Sequence, residues 1–196
     1  MWREELFLFA GGFSHPAWGA AHSRRVYELF LHLAGRRGMA ADEESLFAAA
    51  CLHDLGAFAP YKREGVDHAE RSAQVAEEIL SGMDFPAEKI PAVAEIIRGH
   101  MFYARPAPRE EAVIFHDADV LDFMGAIGVA RILSIVGLDD WTPDLRSAVG
   151  LIERFAEELP AKLLTPEAQE MGRAREAEMR AYLASLREET RGLEIL

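Results

Sequence analysis

The chain has 196 residues, half of them hydrophobic, with one cysteine and a formal net charge of −12. That length suits one compact domain with a full core, and the acidic balance, offset by no basic stretch, argues against broad binding to nucleic acid or to anionic membranes. The lone Cys51 excludes an internal disulfide framework and fits a reducing cytoplasm, and no apolar segment is long enough to span a bilayer.

The N-terminal "MWREELFLFAGGF" carries acids where a secretory signal needs a basic region, and its apolar run is short, so a cytoplasmic protein is expected. From there helical periodicity dominates and strand alternation is nearly absent. "HSRRVYELFLHLAG" places Val26, Leu29, Phe30 and Leu33 on one helical face, with Gly35 as the expected stop. Asp42 is placed to cap "EESLFAAACLH", which turns Leu46, Ala49 and Ala50 inward. A loop containing "GAFAPYKREGVD" follows, and Asp67 is placed to cap "HAERSAQVAEEILSGM". Pro86 suits the first turn of "PAEKIPAVAEIIRGH", with Ile90, Val93 and Ile97 as the apolar stripe.

The strongly apolar "REEAVIFHDADVLDFMGAIGVARILSIVG" reads as a central helix or two in sequence. Thr142 and Pro143 open a further helix through Leu159, and Thr165 with Pro166 opens the last. That last helix is charged, with Met171, Met179, Tyr182 and Leu186 as sparse apolar contacts. A solvated surface face is the first reading of it, and a homodimer contact the second. The expectation is an all-α fold, with residues 1–160 as the main body and 161–196 as a helix packed on or extending it.

Six metal-ligating side chains fall near helix ends or in the apolar central segment: His22, His53, Asp54, His68, His100 and Asp119. Imidazole and carboxylate together suit divalent ions such as Mn, Fe and Zn. Neighbours on a helix point about 100° apart, so His53 and Asp54 can converge on one ion. In "FHDADVLDF", Asp119 and Asp122 share a face, whereas Asp117 and Asp119 point to nearly opposite sides. If Asp119 faces an ion, Asp117 points elsewhere. His32 and His116 read as structural or exposed, and Cys51 as an inert core thiol.

The order H … HD … H … H … D resembles the HD-domain metal-dependent phosphohydrolase superfamily. Locally, "HSRRVY", "CLHDLG", "DHAERSA", "RGH" and "DADVLDFMGAIGVAR" resemble the predicted HD hydrolases of bacteria. The likeness runs from about Ser14 to Arg131 and implies a helical bundle with a metal site at its centre. Position by position, His22 matches the first family His, His53 and Asp54 the defining doublet, and Asp119 the aspartate after Ala in the "AD-x-x-D" pattern. His68 and His100 match the additional histidines of binuclear members, in which the doublet's Asp bridges two ions. Asp122 is then a supporting residue for the site. The chain departs from commoner relatives in "SHPAWGAAHSRRV", which places His15 and Trp18 ahead of His22.

What the resemblance implies is one or two divalent ions (Mn, Fe, Mg, Co, Ni or Zn) and hydrolysis of a phosphate ester or anhydride in a nucleotide or other small phosphorylated metabolite. His53, Asp54 and Asp119 are then the catalytic candidates. Arg25, Lys62 and Arg63 are the leading candidates for holding substrate phosphate, with Arg71 and Arg131 after them. The same six-ligand pattern also resembles HD-type di-iron oxygenases, and a third reading is a non-catalytic metal-binding regulatory module.

Overall fold

The computed structural model describes residues 2–196. Helices hold 67% of the chain, and among the described residues the only β pairing is an isolated bridge from Ser14 to Gly19. The all-α expectation holds. The chain divides into two compact units, residues 1–119 and 120–196, and the division falls inside one helix.

The first unit contains α1 (Trp2–Gly11), α2 (Ala20–Arg37), α3 (Glu43–Leu52), α4 (His68–Ser81), α5 (Ile90–Arg98) and the start of α6 (Glu110–Asp122). Helix α3 is the hub, packing against α1, α2, α4 and α5. Its sequence explains that position. Ala48, Ala49 and Ala50 are buried and small, so neighbouring backbones can approach from several sides, while Leu46 and Leu52 fill the remaining space. Phe30 of α2, Leu80 of α4, Ile96 and Ile97 of α5 and Phe115 of α6 are all fully buried. Side chains of this size stabilise the fold by about 1.5–3 kcal/mol each when taken out of water.

The caps on the two helices flanking the doublet are as the sequence predicts. Asp42 accepts a hydrogen bond from Ser45 N at the start of α3, and Asp67 accepts from Ala69 N and Glu70 N at the start of α4. Helix α2 instead runs past Gly35 to stop at Gly38, whose φ of 67° is the left-handed conformation a helix stop requires. There Gly38 N and Met39 N donate to the carbonyls of Gly35 and Ala34. Pro86 opens a 3-10 turn, Ala87–Lys89, and the α-helix begins only at Ile90. Helix α1 has no counterpart in the sequence reading. It is anchored by Trp2, edge-on to Phe47 and Phe85 with centroids 6.0 and 4.9 Å away.

The second unit contains α7 (Gly125–Leu133), α8 (Leu145–Glu158) and α9 (Pro166–Glu189), each packed against the other two. The apolar central segment is therefore two helices. Gly125, with φ 72°, makes the corner after α6, where a β-carbon would sit 2.9 Å from the Glu178 carboxylate. Glu178 takes the place of a cap on α7 by accepting from Ala126 N at 3.4 Å. Asp144, not Thr142, caps α8. Thr142 is buried and donates its hydroxyl to the Ile135 carbonyl at 3.0 Å. Thr165 caps α9 as expected, and Met179 and Leu183 are its largest buried residues. Among the described residues no helix is long and apolar enough to cross a membrane.

One glycine positions the chemistry. Gly56 follows the doublet in a 3-10 turn, Leu55–Ala57, that lies directly on the start of α4. Its N–H donates to the Ser72 hydroxyl at 2.8 Å. A β-carbon there would collide with the His68 carbonyl oxygen and come within 2.6 Å of Ser72 N. Gly56→Ala is expected to cost about 1–3 kcal/mol, the range for overpacking a filled interior. Because the strain falls between Asp54 and His68, metal affinity is expected to fall with it. Denaturant unfolding and a metal titration of the variant check both parts.

Candidate metal centre

All six predicted ligands lie in the first unit, and the fold brings them together. His22 projects from the first turn of α2, and His53 and Asp54 follow the last turn of α3. His68 is the first residue of α4, His100 lies two residues past the end of α5, and Asp119 is on α6. Placing ligands at helix ends lets short side chains reach a common point without deforming a helix.

Asp54 is the centre of the arrangement. Its Oδ2 lies 3.4 Å from His22 Nε2 and 3.3 Å from His53 Nε2. Its Oδ1 lies 3.6 Å from His100 Nε2 and 3.7 Å from His68 Nε2. One carboxylate thus faces two pairs of imidazoles, one pair per oxygen. Asp119 Oδ1 lies 3.2 Å from His22 Nε2. Two groups of ligand atoms are close enough together to hold an ion, His22 with His53 and Asp119, and His53 with Asp54 and His100. His53 belongs to both. Asp117, fully buried on the same helix as Asp119, belongs to neither, and His68, whose Nε2 is 3.7 Å from Asp54 Oδ1, also lies outside both.

The hydrogen bonds show which atoms face inward. His53 Nδ1 is 3.0 Å from the Ala50 carbonyl, and His100 Nδ1 is 2.6 Å from the Ile97 carbonyl. A carbonyl oxygen only accepts, so each Nδ1 carries the proton and donates it. In the neutral ring that leaves Nε2 as a bare lone pair aimed at the centre, the arrangement seen in metal-ligating histidines. His53 Nε2 and His22 Nε2 face one another at 3.0 Å. His100 Nε2 and both oxygens of Asp119 are buried with no aligned hydrogen-bond donor among the described residues. Buried acceptors left in this way cost free energy unless a cation satisfies them. The residues fit a divalent metal.

Electrostatics agree with that donor set. Burial works to raise the Asp54 carboxyl, but His53, His100 and His22 outweigh it and hold it well below the usual carboxylate range. Burial opposes ionisation of Asp119 as well, and His22, His100 and His53 still hold its carboxyl below the ordinary value. Both are therefore ionised at neutral pH. Burial lowers the His68 imidazole despite the opposing charge of Asp54, which keeps the ring neutral and able to ligate.

Residues outside the ligand set support it. His116 is buried, and its Nδ1 donates to the Gly99 carbonyl at 3.0 Å, fixing the turn that presents His100. Gly99 itself packs so closely on Pro106 that a β-carbon would lie 2.5 Å from Pro106 Cα. Asp67 accepts a 2.7 Å hydrogen bond from the Tyr103 hydroxyl. Burial opposes ionisation of Asp67, while the Tyr103 hydroxyl, the neighbouring His68 and the backbone N–H groups of Ala69 and Glu70 hold it below the ordinary value. His15 stacks on Trp18 with ring centroids 3.7 Å apart, and its Nδ1 accepts from Ala17 N at 3.3 Å.

The cationic candidates separate. Arg25 is half-buried one turn after His22, and Lys62 and Arg63 are exposed in the loop after the doublet. Arg71 donates from Nε to the Tyr61 carbonyl at 2.8 Å, so it braces that loop from α4. Arg131 is not available to a substrate. It is 4% exposed, lies 2.9 Å from the Asp122 carboxylate and sits over the Phe123 ring at 4.1 Å. Asp122, expected to support the metal site, is the partner of that arginine.

An all-helical scaffold here gathers histidines and aspartates from four helix ends and one helix body into one cluster. The HD domain family model matches residues 19–124, more than half of the chain, and the chain belongs to that family. No curated protein matches it by sequence. Solved structures do resemble it. A predicted HD superfamily hydrolase from an uncultured Thermotogales bacterium is 25% identical, with a TM-score of 0.65 over 95% of this chain and 90% of that one. Bacillus subtilis YpgQ in complex with ADP is 22% identical, with a TM-score of 0.73 over 98% of this chain and 100% of that one. An HD-superfamily hydrolase from Bacillus thuringiensis is 20% identical, with a TM-score of 0.65 over 95% of both chains.

Proposed function

We propose that the protein is a metal-dependent phosphohydrolase acting on a nucleotide or another small phosphorylated metabolite. The observation that carries this reading is Asp54, whose two oxygens face separate histidine pairs beside the buried Asp119 carboxylate. His22, His53, Asp54 and Asp119 would hold one divalent ion, and Asp54, His68 and His100 a second. A divalent ion bound there would lower the pKa of a water molecule towards neutrality and polarise a phosphoryl oxygen.

The chain's own groups account for the rest. Two ionised carboxylates among the imidazoles supply the negative charge that draws cations, and neither carboxylate has a proton to donate at neutral pH. The carbonyls of Ala50 and Ile97 keep the His53 and His100 rings from turning their N–H groups inward. Arg25 beside His22, with Lys62 and Arg63 on the neighbouring loop, offers positive charge for a substrate's non-reacting phosphate oxygens. The nucleotide assignment draws on the structural likeness to YpgQ, which was solved with ADP.

The test is an anaerobic assay of Mn-loaded protein against nucleoside mono-, di- and triphosphates and phosphomonoesters, following release of phosphate or pyrophosphate. Turnover without oxygen is the expected result. Silence across the panel together with oxygen consumption by iron-loaded protein would mark an oxygenase and end this reading. Replacing His68 and His100 together by Ala is expected to lower bound metal from two ions to one with helix content kept. Elemental analysis and circular dichroism check that outcome, and unchanged metal content would make the two histidines structural.

A further inference from the structure

His68 and His100 aim Nε2 at the same oxygen, Asp54 Oδ1, from 3.7 and 3.6 Å, with ring centroids 5.5 Å apart. Neither is carried in the body of a helix. His68 begins α4 directly after the loop that holds Lys62 and Arg63, and His100 lies in the turn after α5. Two side chains on such segments hold one spacing only if something ties the segments together. Helix packing between α4 and α5 sets the coarse distance. At the ligand ends two side-chain links add to it: Arg98, the last residue of α5, donates from Nε to Glu70 at 2.9 Å, and Tyr103 reaches across to Asp67.

Asp67, next to His68, uses its two oxygens for different tasks. Oδ1 accepts from Ala69 N at 2.9 Å and Glu70 N at 3.4 Å, the ordinary work of a helix cap. Oδ2 accepts from the hydroxyl of Tyr103, three residues beyond His100, at 2.7 Å. Tyr103 is 54% exposed, and among the described residues its ring meets Phe102 edge-on at 5.3 Å. A hydrogen bond to a charged acceptor is stronger than a neutral one, and this one closes a span of 36 residues. On the other flank His116 fixes Gly99, so the His100 turn is held from both sides.

We propose that the Tyr103–Asp67 hydrogen bond is a latch that holds His68 and His100 at the separation one metal ion requires. Tyr103 and Asp67 are then positioning residues for the second ion and have no direct part in the first. The proposal rests on the two-ion reading of the site. Its test therefore includes a measurement that needs no metal.

Tyr103→Phe removes only the hydroxyl, and Asp67→Ser keeps a capping oxygen while removing the second acceptor. In metal-free protein, amide hydrogen exchange at residues 68–72 and 100–104 is expected to speed up together in either variant, with the rest of the first unit unchanged. In a Mn titration by equilibrium dialysis, the weaker of two ions is expected to lose about tenfold in affinity, the scale for partners that orient a ligand. The tighter ion is expected to bind as in the parent. The double variant is expected to match either single one, since both break the same bond. Unchanged exchange at both segments in Tyr103→Phe overturns the latch, as does equal weakening of both ions. A parent that binds fewer than two ions overturns the two-ion reading instead, and the exchange result still decides whether the latch exists.

Discussion

Asp54→Ala is expected to leave the protein without tightly bound metal at either position. No other ligand touches both histidine pairs, because Oδ2 faces His22 and His53 while Oδ1 faces His68 and His100. Removing it deletes the shared charge and leaves four imidazoles with the Asp119 carboxylate to one side, a donor set with weaker attraction for a divalent cation. Helix α3 ends before Asp54, and the neighbouring turn is held through Gly56 and Ser72, so the variant keeps the means to fold. Two readouts follow. Elemental analysis of purified variant is expected to show no stoichiometric metal. The thermal shift on adding Mn, which in the parent corresponds to about 2.7 kcal/mol at a hundredfold excess over Kd, is expected to vanish. Equal metal content in variant and parent would remove Asp54 from the centre.

Asp119→Asn and Asp117→Asn are expected to part company, although the two residues are one turn-half apart on the same buried helix. Asp119 lies 3.2 Å from His22 Nε2, and its oxygens have no aligned donor among the described residues. Asn keeps its shape but offers one neutral oxygen in place of an ionised pair, and its amide can point N–H groups at the site. Groups that merely orient a metal ligand are worth about 10- to 100-fold in affinity. Loss of the ligand's charge is therefore expected to cost at least about a hundredfold in affinity, and most of the turnover with it. Asp117→Asn is expected to keep metal content near that of the parent and to act through stability, since its carboxylate is buried outside both ligand groups. Metal titrations and thermal melts at matched metal loading compare them. A metal-poor Asp117→Asn beside a normal Asp119→Asn would reverse the assignment.

The cluster of histidines and aspartates is legible because each is a residue type that a helix end or an apolar segment does not otherwise call for. His53 and Asp54 stand against an alanine-rich run, and Asp67 announces the helix that His68 begins. Choosing Asp119 over Asp117 followed from the half-turn between them together with the family pattern. Less legible were features that depend on which backbone lies nearby. Arg131 looked like a phosphate contact from its place in "GAIGVAR", but Asp122 and Phe123 fold back onto it. His116 carries no sign in sequence that the Gly99 carbonyl waits opposite it. Nor could the choice between Gly35 and Gly38 as the stop of α2 be made locally, since both have the freedom and only one takes the left-handed turn. Helix α1 escaped notice because its apolar residues do not form one stripe: Leu6 is buried while Phe7 and Leu8 are exposed.

The clasp between Gly56 and Ser72 has a consequence for how such a protein can change over generations. It fixes the register of α4 against the end of α3 on the inner side of the loop, and Arg71 grips that loop at the Tyr61 carbonyl. Residues 62–66 are left between fixed points, exposed or nearly so. Insertions or deletions there alter chain length between anchored ends, which costs little closure entropy. Selection can therefore rewrite the stretch that includes Lys62 and Arg63 while the geometry of the histidine–aspartate cluster is inherited intact. Transplanting a longer loop at residues 62–66 is a modular change, whereas a one-residue shift at Ser72 breaks the inheritance.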